Sequence, residues 1–418
     1  MKWHQIRVGD FGTVITGNTP PKNNLEYYGC EYKFIKPTDM EVGMRYTPFT
    51  EECYSQLAHE KYKKSLIPPL STCVVTIGSI GKKITLTDDY CFVNQAVNAV
   101  VPDTANFDPY FVFYALKNIL HRVKAADTGA SSGRENVSKS NFSNLTLSVP
   151  VDKIDQQKIA SILSGYDDLL ENNTKRIKLL EEASQNIYKE WFVNFRFPGY
   201  ENAKFENGLP KGWNVVPLAD VIDYKEGPGL RNWQYRNDGI PFLNIRVLNG
   251  GEIDFTDINY LEESEVEAKY KHFLLDEFDH VISTSGTLGK VVTIRKSHLP
   301  LCLNTSIIRM RQKSERYGKW LIREMIRSDN FLNEMRSMAT GSAQLNFGPK
   351  HLEMMNVVVP ELEKSRLFEN IIDPFQLKLL LLLDKNKLLK EARDILLPRL
   401  MNGTITVDAA VEEFEAAY

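Results

Sequence analysis

Apolar positions along this chain change rhythm three times. Through residues 1–152 they come in short β-branched runs broken by Gly, Pro and Asn, and the same texture returns over residues 199–361. Such runs predict strands joined by turns. Cys73-Val74-Val75-Thr76-Ile77 predicts a strand, Gly78-Ser79-Ile80-Gly81 a turn, and Lys83-Ile84-Thr85-Leu86-Thr87 the strand after it. Val281-Ile282-Ser283-Thr284, the turn Gly286–Gly289 and Val291-Val292-Thr293-Ile294 repeat that plan. A short helix follows in each, over Pro109–Leu116 and Trp320–Ile326. Two mixed α/β globules result.

Between and after the globules the spacing becomes helical. Ile159, Ile162, Tyr166, Leu169, Asn173, Leu180, Ala183 and Ile187 alternate by threes and fours, interrupted only near Arg176 and widened by Leu163, Leu170 and Ile177. Leu367, Ile371, Phe375, Leu379, Leu382, Leu389, Ala392 and Leu396 do the same, with Pro374 expected to bend the helix near its start. This is the a/d pattern of a coiled coil. A helix from Ile159 to Trp191 is about 50 Å long at ~1.5 Å per residue. Neither helix meets a stop until Asn194–Gly199 or Asn402-Gly403, so pairing with each other, antiparallel if the halves are related by a pseudo-twofold axis, is expected. Ile162, Tyr166, Leu169, Asn173, Leu180 and Ile187 on one helix, and Ile371, Phe375, Leu379, Leu382, Leu389 and Leu396 on the other, are expected to carry pairing and partner docking. Asn173 reads equally as a register-setting polar residue or as a seam-edge residue near solvent. The run Leu379–Leu383 is apolar all round, which implies contact on more than one side.

The halves repeat at an offset of 208 to 212 residues: Trp3 with Trp213, Thr76–Lys82 with Thr284–Lys290, Asn94 with Asn304, Thr128-Gly129 with Thr340-Gly341, Pro150 with Pro360. That period is too long for a solenoid unit and suits a domain plus a helix.

Composition narrows the class. At 418 residues, 43% hydrophobic and 25% charged, the chain is long enough for two or three cored domains. No apolar run approaches the ~20 residues of a membrane span, and the N-terminus lacks a signal-peptide stretch, so a cytoplasmic location without membrane contact is expected. Five cysteines without CxxC pairing suit reduced structural thiols. Net charge is −3, and residues 1–152 carry 16 basic and 15 acidic groups, so no segment is a basic tail. Affinity for nucleic acid must come from local clusters.

Motifs for catalysis fail on inspection. Gly78-Ser79-Ile80-Gly81-Lys82 lacks the Gly-x₄-Gly-Lys-Ser/Thr spacing of a phosphate loop, and Lys290 is followed by Val291. Asn18-Thr19-Pro20-Pro21-Lys22 lacks the aromatic that stacks a flipped base. Pro102-Asp103 has no Asp/Glu-x-Lys partner, and the seven histidines are scattered. No catalytic residue and no metal ligand is assigned.

The two helix exits carry a resemblance. Ile187-Tyr188-Lys189-Glu190-Trp191-Phe192-Val193-Asn194-Phe195-Arg196-Phe197-Pro198-Gly199, followed by Leu209-Pro210-Lys211-Gly212-Trp213, resembles the central conserved region of type I restriction–modification specificity (S) subunits. Ala392–Gly403 resembles their distal conserved region, and with the repeat the likeness covers essentially the whole chain. It implies an α/β fold with two target recognition domains separated by two long antiparallel coiled-coil helices in a pseudo-twofold repeat. The expected boundaries are domain 1 at 1–152, central helical region 153–198, domain 2 at 199–361, distal helical region 362–403 and a tail 404–418. It further implies reading of an asymmetric bipartite double-stranded DNA target, docking of two methyltransferase (M) subunits, and room for two restriction (R) subunits. S-adenosylmethionine, ATP and magnesium would then sit on those partners and none on this chain; the assembled complex would be an adenine-N6 methyltransferase and ATP-dependent endonuclease.

Candidate DNA contacts are the polar loops. In domain 1 they are Lys22, Ser79, Lys82, Lys83, Arg134 and Lys139. In domain 2 they are Arg231, Gln234, Arg236, Asn244, Arg246, Thr287, Lys290, Gln344, Asn346 and Lys350. Arg, Gln and Asn make bidentate contacts to base edges, whereas Lys more often meets phosphate. Each of these is also a residue type of ordinary solvated loops, but Arg231, Gln234 and Arg236 cluster with aromatics and there read as DNA contacts. Rival readings are the specificity subunit of a type IIB-like or methylation-only system, a coiled-coil adaptor whose globules bind proteins, and a stand-alone methyltransferase, the last disfavoured by the missing motifs. Half-sites read from one face of B-DNA lie about one turn (~34 Å) or a multiple apart, so the helices would set the spacer. Inserting one heptad into the 159–191 helix is expected to change the unread spacer and leave both half-site sequences unaltered. A methylome showing unchanged spacing would contradict this.

Overall fold

The computed structural model describes residues 1–126, 135–340 and 345–416. It divides into two compact units: Met1–Asn172 with Lys387–Tyr418, and Asn173–Asn386. Each unit therefore owns one globule and one stretch of each long helix, a division that composition alone did not draw.

In the first unit, Trp3–Arg7 pairs antiparallel with Thr146–Pro150. A four-stranded antiparallel sheet runs in the order Gly12–Thr16, Val97–Pro102, Thr72–Val75, Ile84–Leu86. A second, mixed sheet holds Glu52–Tyr54, Tyr28–Ile35 and Cys91–Val93, the last pair parallel. The second unit repeats the frame. Asn214–Pro217 pairs with Asn356–Val359, and a four-stranded sheet runs Ile222–Glu226, Ile307–Gln312, His280–Ser283, Val291–Thr293. The mixed sheet is not repeated. A two-stranded ladder of Ile240–Phe242 with Asn259–Leu261 stands there, and the parallel contact shrinks to a single bridge between Phe242 and Cys302.

The long helices are continuous over Lys153–Tyr188 and Leu362–Met401. Pro374 does not interrupt the second. It is solvent-exposed, as is Asn370, whose carbonyl loses its N–H partner, so water can satisfy the missing bond. In the second unit Ser184 meets Gln376 and Asn173 meets Asn386 (2.9 Å in both cases), so rising numbers on one helix face falling numbers on the other. Both asparagines are buried, and each answers the polar group of the other.

Sealing the globule is the helices' main work. The short helix Pro109–Asn118 starts at Asp108, whose side chain accepts from the Phe111 N–H (2.9 Å), with Pro109 in the first turn. Residues Phe111 to Leu116 are all buried, so this helix is apolar on every side and must be covered on every side. Ile159, Leu163, Tyr166 and Leu170 cover it, together with Leu396, Leu397 and Leu400 in the same core. In the second unit, Lys319–Arg327 is covered by Phe368, Ile372 and Leu379. The buried set on each long helix is thus wider than the a/d seam: Ile162, Leu169, Leu180, Ile187, Ile371 and Phe375 are half-buried, while Tyr166, Leu379, Leu382, Leu389 and Leu396 are buried.

The helix Lys319–Arg327 has no capping side chain of its own, because Gly318 precedes it. Glu369 of the long helix caps it instead, accepting from the Trp320 (3.2 Å) and Leu321 (2.8 Å) N–H groups. A methyl group at Gly318 would collide with the Glu369 carboxyl, so any larger residue there would displace the cap. Burial raises the Glu369 carboxyl to about 7, against the lowering effect of those two backbone donors. A carboxyl raised above its unfolded value contributes stability below that unfolded value, and the contribution is lost as pH rises through 7. Glu369→Gln sets an amide N–H against one of the two backbone donors at every pH but removes the buried charge, so it is expected to be more favourable to the denaturation midpoint at pH 8 than at pH 5. Equal effects at both pH values in urea titrations would refute the assignment.

Candidate nucleic-acid interface

The repeated Gly-x-x-Gly turn is formed by glycines at positive φ: +84° at Gly78, +76° at Gly81, +63° at Gly286 and +84° at Gly289. Each turn lies against the loop that follows the short helices. The Gly78 N–H donates to the Glu135 carbonyl and the Val137 N–H to the Thr76 carbonyl (3.1 and 2.9 Å); in domain 2 the Phe347 N–H donates to the Thr284 carbonyl (2.8 Å). The fold thereby sets Thr76 to Gly78 beside Glu135 to Val137, and Thr284 and Ser285 beside Asn346 and Phe347. Ser79, Lys82, Lys139, Thr287 and Lys350 are exposed, as is Lys22 on its own loop. Asn346 is exposed but tied by its backbone to Thr340 in both directions. Arg134 and Gln344 lie outside the described residues.

The lysine of the motif has a different position from the one its spelling suggests. The Val75 N–H donates to the Lys83 carbonyl and the Ser283 N–H to the Lys290 carbonyl, so Lys83, not Lys82, is the counterpart of Lys290. Lys82 is an extra residue in the first turn. Both counterparts spend their ammonium groups on the fold: Lys83 donates to the Pro37 carbonyl (2.6 Å) and Lys290 to the Leu248 carbonyl (2.7 Å). These two lysines pin a neighbouring loop and do not project from the turn.

The segment Arg231–Arg236 divides in the same way. Arg231 is exposed, and its N–H donates to the Gln234 side chain (2.9 Å). Gln234 itself is buried, its amide donating to Glu265 (2.9 Å) and the Tyr270 hydroxyl (3.1 Å). A side chain so engaged offers nothing to a base edge. Arg236 folds back on the Trp233 and Tyr235 carbonyls (3.0 and 3.1 Å) and stands 3.8 Å from Glu262. What the turn presents outward is Trp233, 73% exposed. Asn244 caps the short turn Ile245–Val247 by accepting from the Arg246 N–H (2.9 Å). Asn244 and the exposed Arg246 line a polar cavity of about 230 Å³ with Asp254, Asp257 and Asn259. Donors and acceptors of both senses meet there, the mix that a base edge requires.

Residues at the helix contacts carry charge that periodicity gave no sign of. Buried Arg45 reaches Glu171 with two nitrogens (3.0 Å each) and pairs with Asp168; buried Arg295 holds Glu252 (2.6 and 2.7 Å) and Asp384 (2.8 Å). Burial lowers the Lys117 ammonium to about 8 and pushes His280 down to about 3, where it bridges Thr293 and the Lys319 carbonyl as a neutral ring. Among the described residues no group of His, Cys, Asp and Glu is placed to hold a metal ion.

One α/β frame built twice, each copy sealed by the same two helices and differing in its outward loops, defines a two-domain binding subunit. A family model described as the type I restriction modification DNA specificity domain matches residues 1–182 and again residues 210–391, and the chain belongs to that family. It is 24% identical over 420 residues to the type I restriction enzyme MjaIX specificity subunit of Methanocaldococcus jannaschii, spanning 97% of this chain and 94% of that one. It is 25% identical to the MjaVIII specificity subunit of the same organism, over 87% and 84%. The crystal structure of the type I S subunit from M. genitalium shares the fold, at a TM-score of 0.59 and 17% identity over 96% of each chain. The protein is a specificity subunit of a type I restriction–modification system, with two recognition domains.

Removing the Lys290 ammonium (Lys290→Met) is expected to cost domain 2 roughly 1.5–3 kcal/mol, the range for a hydrogen bond to a charged group. Lys82→Met should leave stability within about 0.5 kcal/mol. Equal losses in chemical denaturation would overturn the distinction.

Proposed function

We propose that each domain reads one half of an asymmetric, split double-stranded DNA target. The observation that supports this best is the contrast inside the repeat. Four-stranded sheets of identical order stand in both units, whereas the loops above them differ: a mixed sheet and an extra Lys82 in one, the Trp233 turn and the Asn244–Arg246 cavity in the other. Shared frames with unlike reading loops suit two unlike half-sites. Lys22, Ser79, Lys82 and Lys139 in domain 1, and Arg231, Arg246, Thr287, Asn346 and Lys350 in domain 2, are the contacts this reading retains.

The chain is proposed to act without catalysis of its own, in the cytoplasm, and to dock two M subunits that supply S-adenosylmethionine and adenine-N6 methylation. R subunits with ATP and magnesium would join through them. No helix among the described residues is long and apolar enough to cross a membrane. Docking is supported by exposed apolar side chains on the long helices. Leu377, Leu381 and Leu179 stand in solvent in the second unit, and Leu388, Ile395 and Ile154 in the first.

Co-expression with the cognate M subunit tests both parts. Bipartite DNA binding and methylation are expected only from the complex. Arg246→Ala should weaken binding by about 1–3 kcal/mol, roughly fivefold to a hundredfold, and relax the sequence of one half-site only. Leu377→Asp with Leu381→Asp should abolish co-purification of M while the S chain still melts cooperatively. Binding to no DNA by the intact complex would favour the protein-adaptor reading.

A further inference from the structure

Where each globule meets the long helices, a buried polar cluster lies at the same place in the repeat with its chemistry reversed. In the first unit the Tyr114 hydroxyl donates to Asp167 (2.7 Å), and Arg393 holds the other oxygen of that carboxylate. In the second unit Gln376 donates to Glu324 (3.0 Å) and to the Ser184 hydroxyl (2.9 Å), and the Glu324 carboxylate also accepts from Gln185 of the long helix (2.6 Å) and from its neighbour Arg323 (2.5 Å). Tyr114 and Glu324 are 210 residues apart; Asp167 and Gln376 are 209 apart, as are Ser184 and Arg393. All six are buried, and each trio takes one residue from the globule and one from each long helix. In the first, the globule gives the hydrogen and the helix accepts it. In the second, the helix gives and the globule accepts. The Glu324 carboxylate can only accept, so it dictates which end of the Gln376 amide faces it.

We propose that these clusters are matched seats that make the two recognition domains non-interchangeable, the seat of domain 1 refusing domain 2. Placed over Asp167, Glu324 would lose the Gln376 and Gln185 donors and face a second carboxylate, with only the Arg323 and Arg393 guanidiniums left to supply hydrogens to both, and a buried acceptor short of its donors is costly. Placed over Gln376, Tyr114 would meet a softer mismatch, because a hydroxyl both gives and accepts. Refusal is therefore one-sided. Which half-site is read from which end follows from the seats, a consequence that rests on the DNA reading proposed above; the seating itself does not.

The test is a full-length chain in which residues 211–361 are copied in place of residues 1–152, compared with the same chain carrying Asp167→Gln and Arg393→Ser. The unmodified exchange is expected to melt about 5 °C or more below the parent, and recoding the two helix residues should recover at least half of that loss. Equal melting of the two exchanged chains, or an exchange as stable as the parent, overturns the proposal. Should both exchanged chains fail to fold, the native chain decides. Tyr114→Glu alone must be more damaging than Tyr114→Glu with Asp167→Gln and Arg393→Ser; the reverse order overturns the seats. With M added, the recoded exchange should methylate a target with two like half-sites. Restored melting without such methylation would count against the DNA reading and leave the seats standing.

Discussion

Each unit depends on covering a short helix that is buried on every side, charged residues of the second one included. Phe111 to Leu116 and Trp320 to Ile326 are buried throughout, so neither globule holds a closed core until the long helices lie against it. Apolar area removed from water drives that contact. Direction comes from groups that hydrophobic burial cannot position. Asp167, Gln376, Glu369, Arg45 and Arg295 each have to meet two partners in one geometry. Burial supplies adhesion and the polar ties supply register, a division of labour that buried ionic groups serve better than they serve net stability.

Much of the frame could be read in the chain. β-Branched runs flanking Gly-x-x-Gly turns announced the central strands, and the three-and-four spacing announced both helices. Those signals are local, so a sequence displays them. What stayed hidden depends on which face of an element meets which neighbour. The heptad reading put Ile162 and Leu169 on the seam, yet Leu163 and Leu170, which only widened it, are the more deeply buried, packed in the core of a globule the periodicity knows nothing about. Gln234 looked like a base reader because it lies among Arg and Trp; a single turn of tight helix points it inward.

Lys82 and Lys83 show a subtler limit. Aligning Gly-Lys with Gly-Lys pairs Lys82 with Lys290, whereas the backbone pairs Lys83 with Lys290 across a turn longer by one residue. Motif spelling follows letters, and strand pairing follows hydrogen bonds. When they disagree, the hydrogen bond decides which ammonium is spent on the fold and which remains at the surface.

Tyr114 touches Asp167 across 53 residues of chain, and Arg393 touches that same aspartate across 226. A gene exchange that cuts at the end of the first globule would inherit the tyrosine from one parent and both its partners from the other. If the trio is the seat proposed above, such a hybrid keeps it only when all three codons change together.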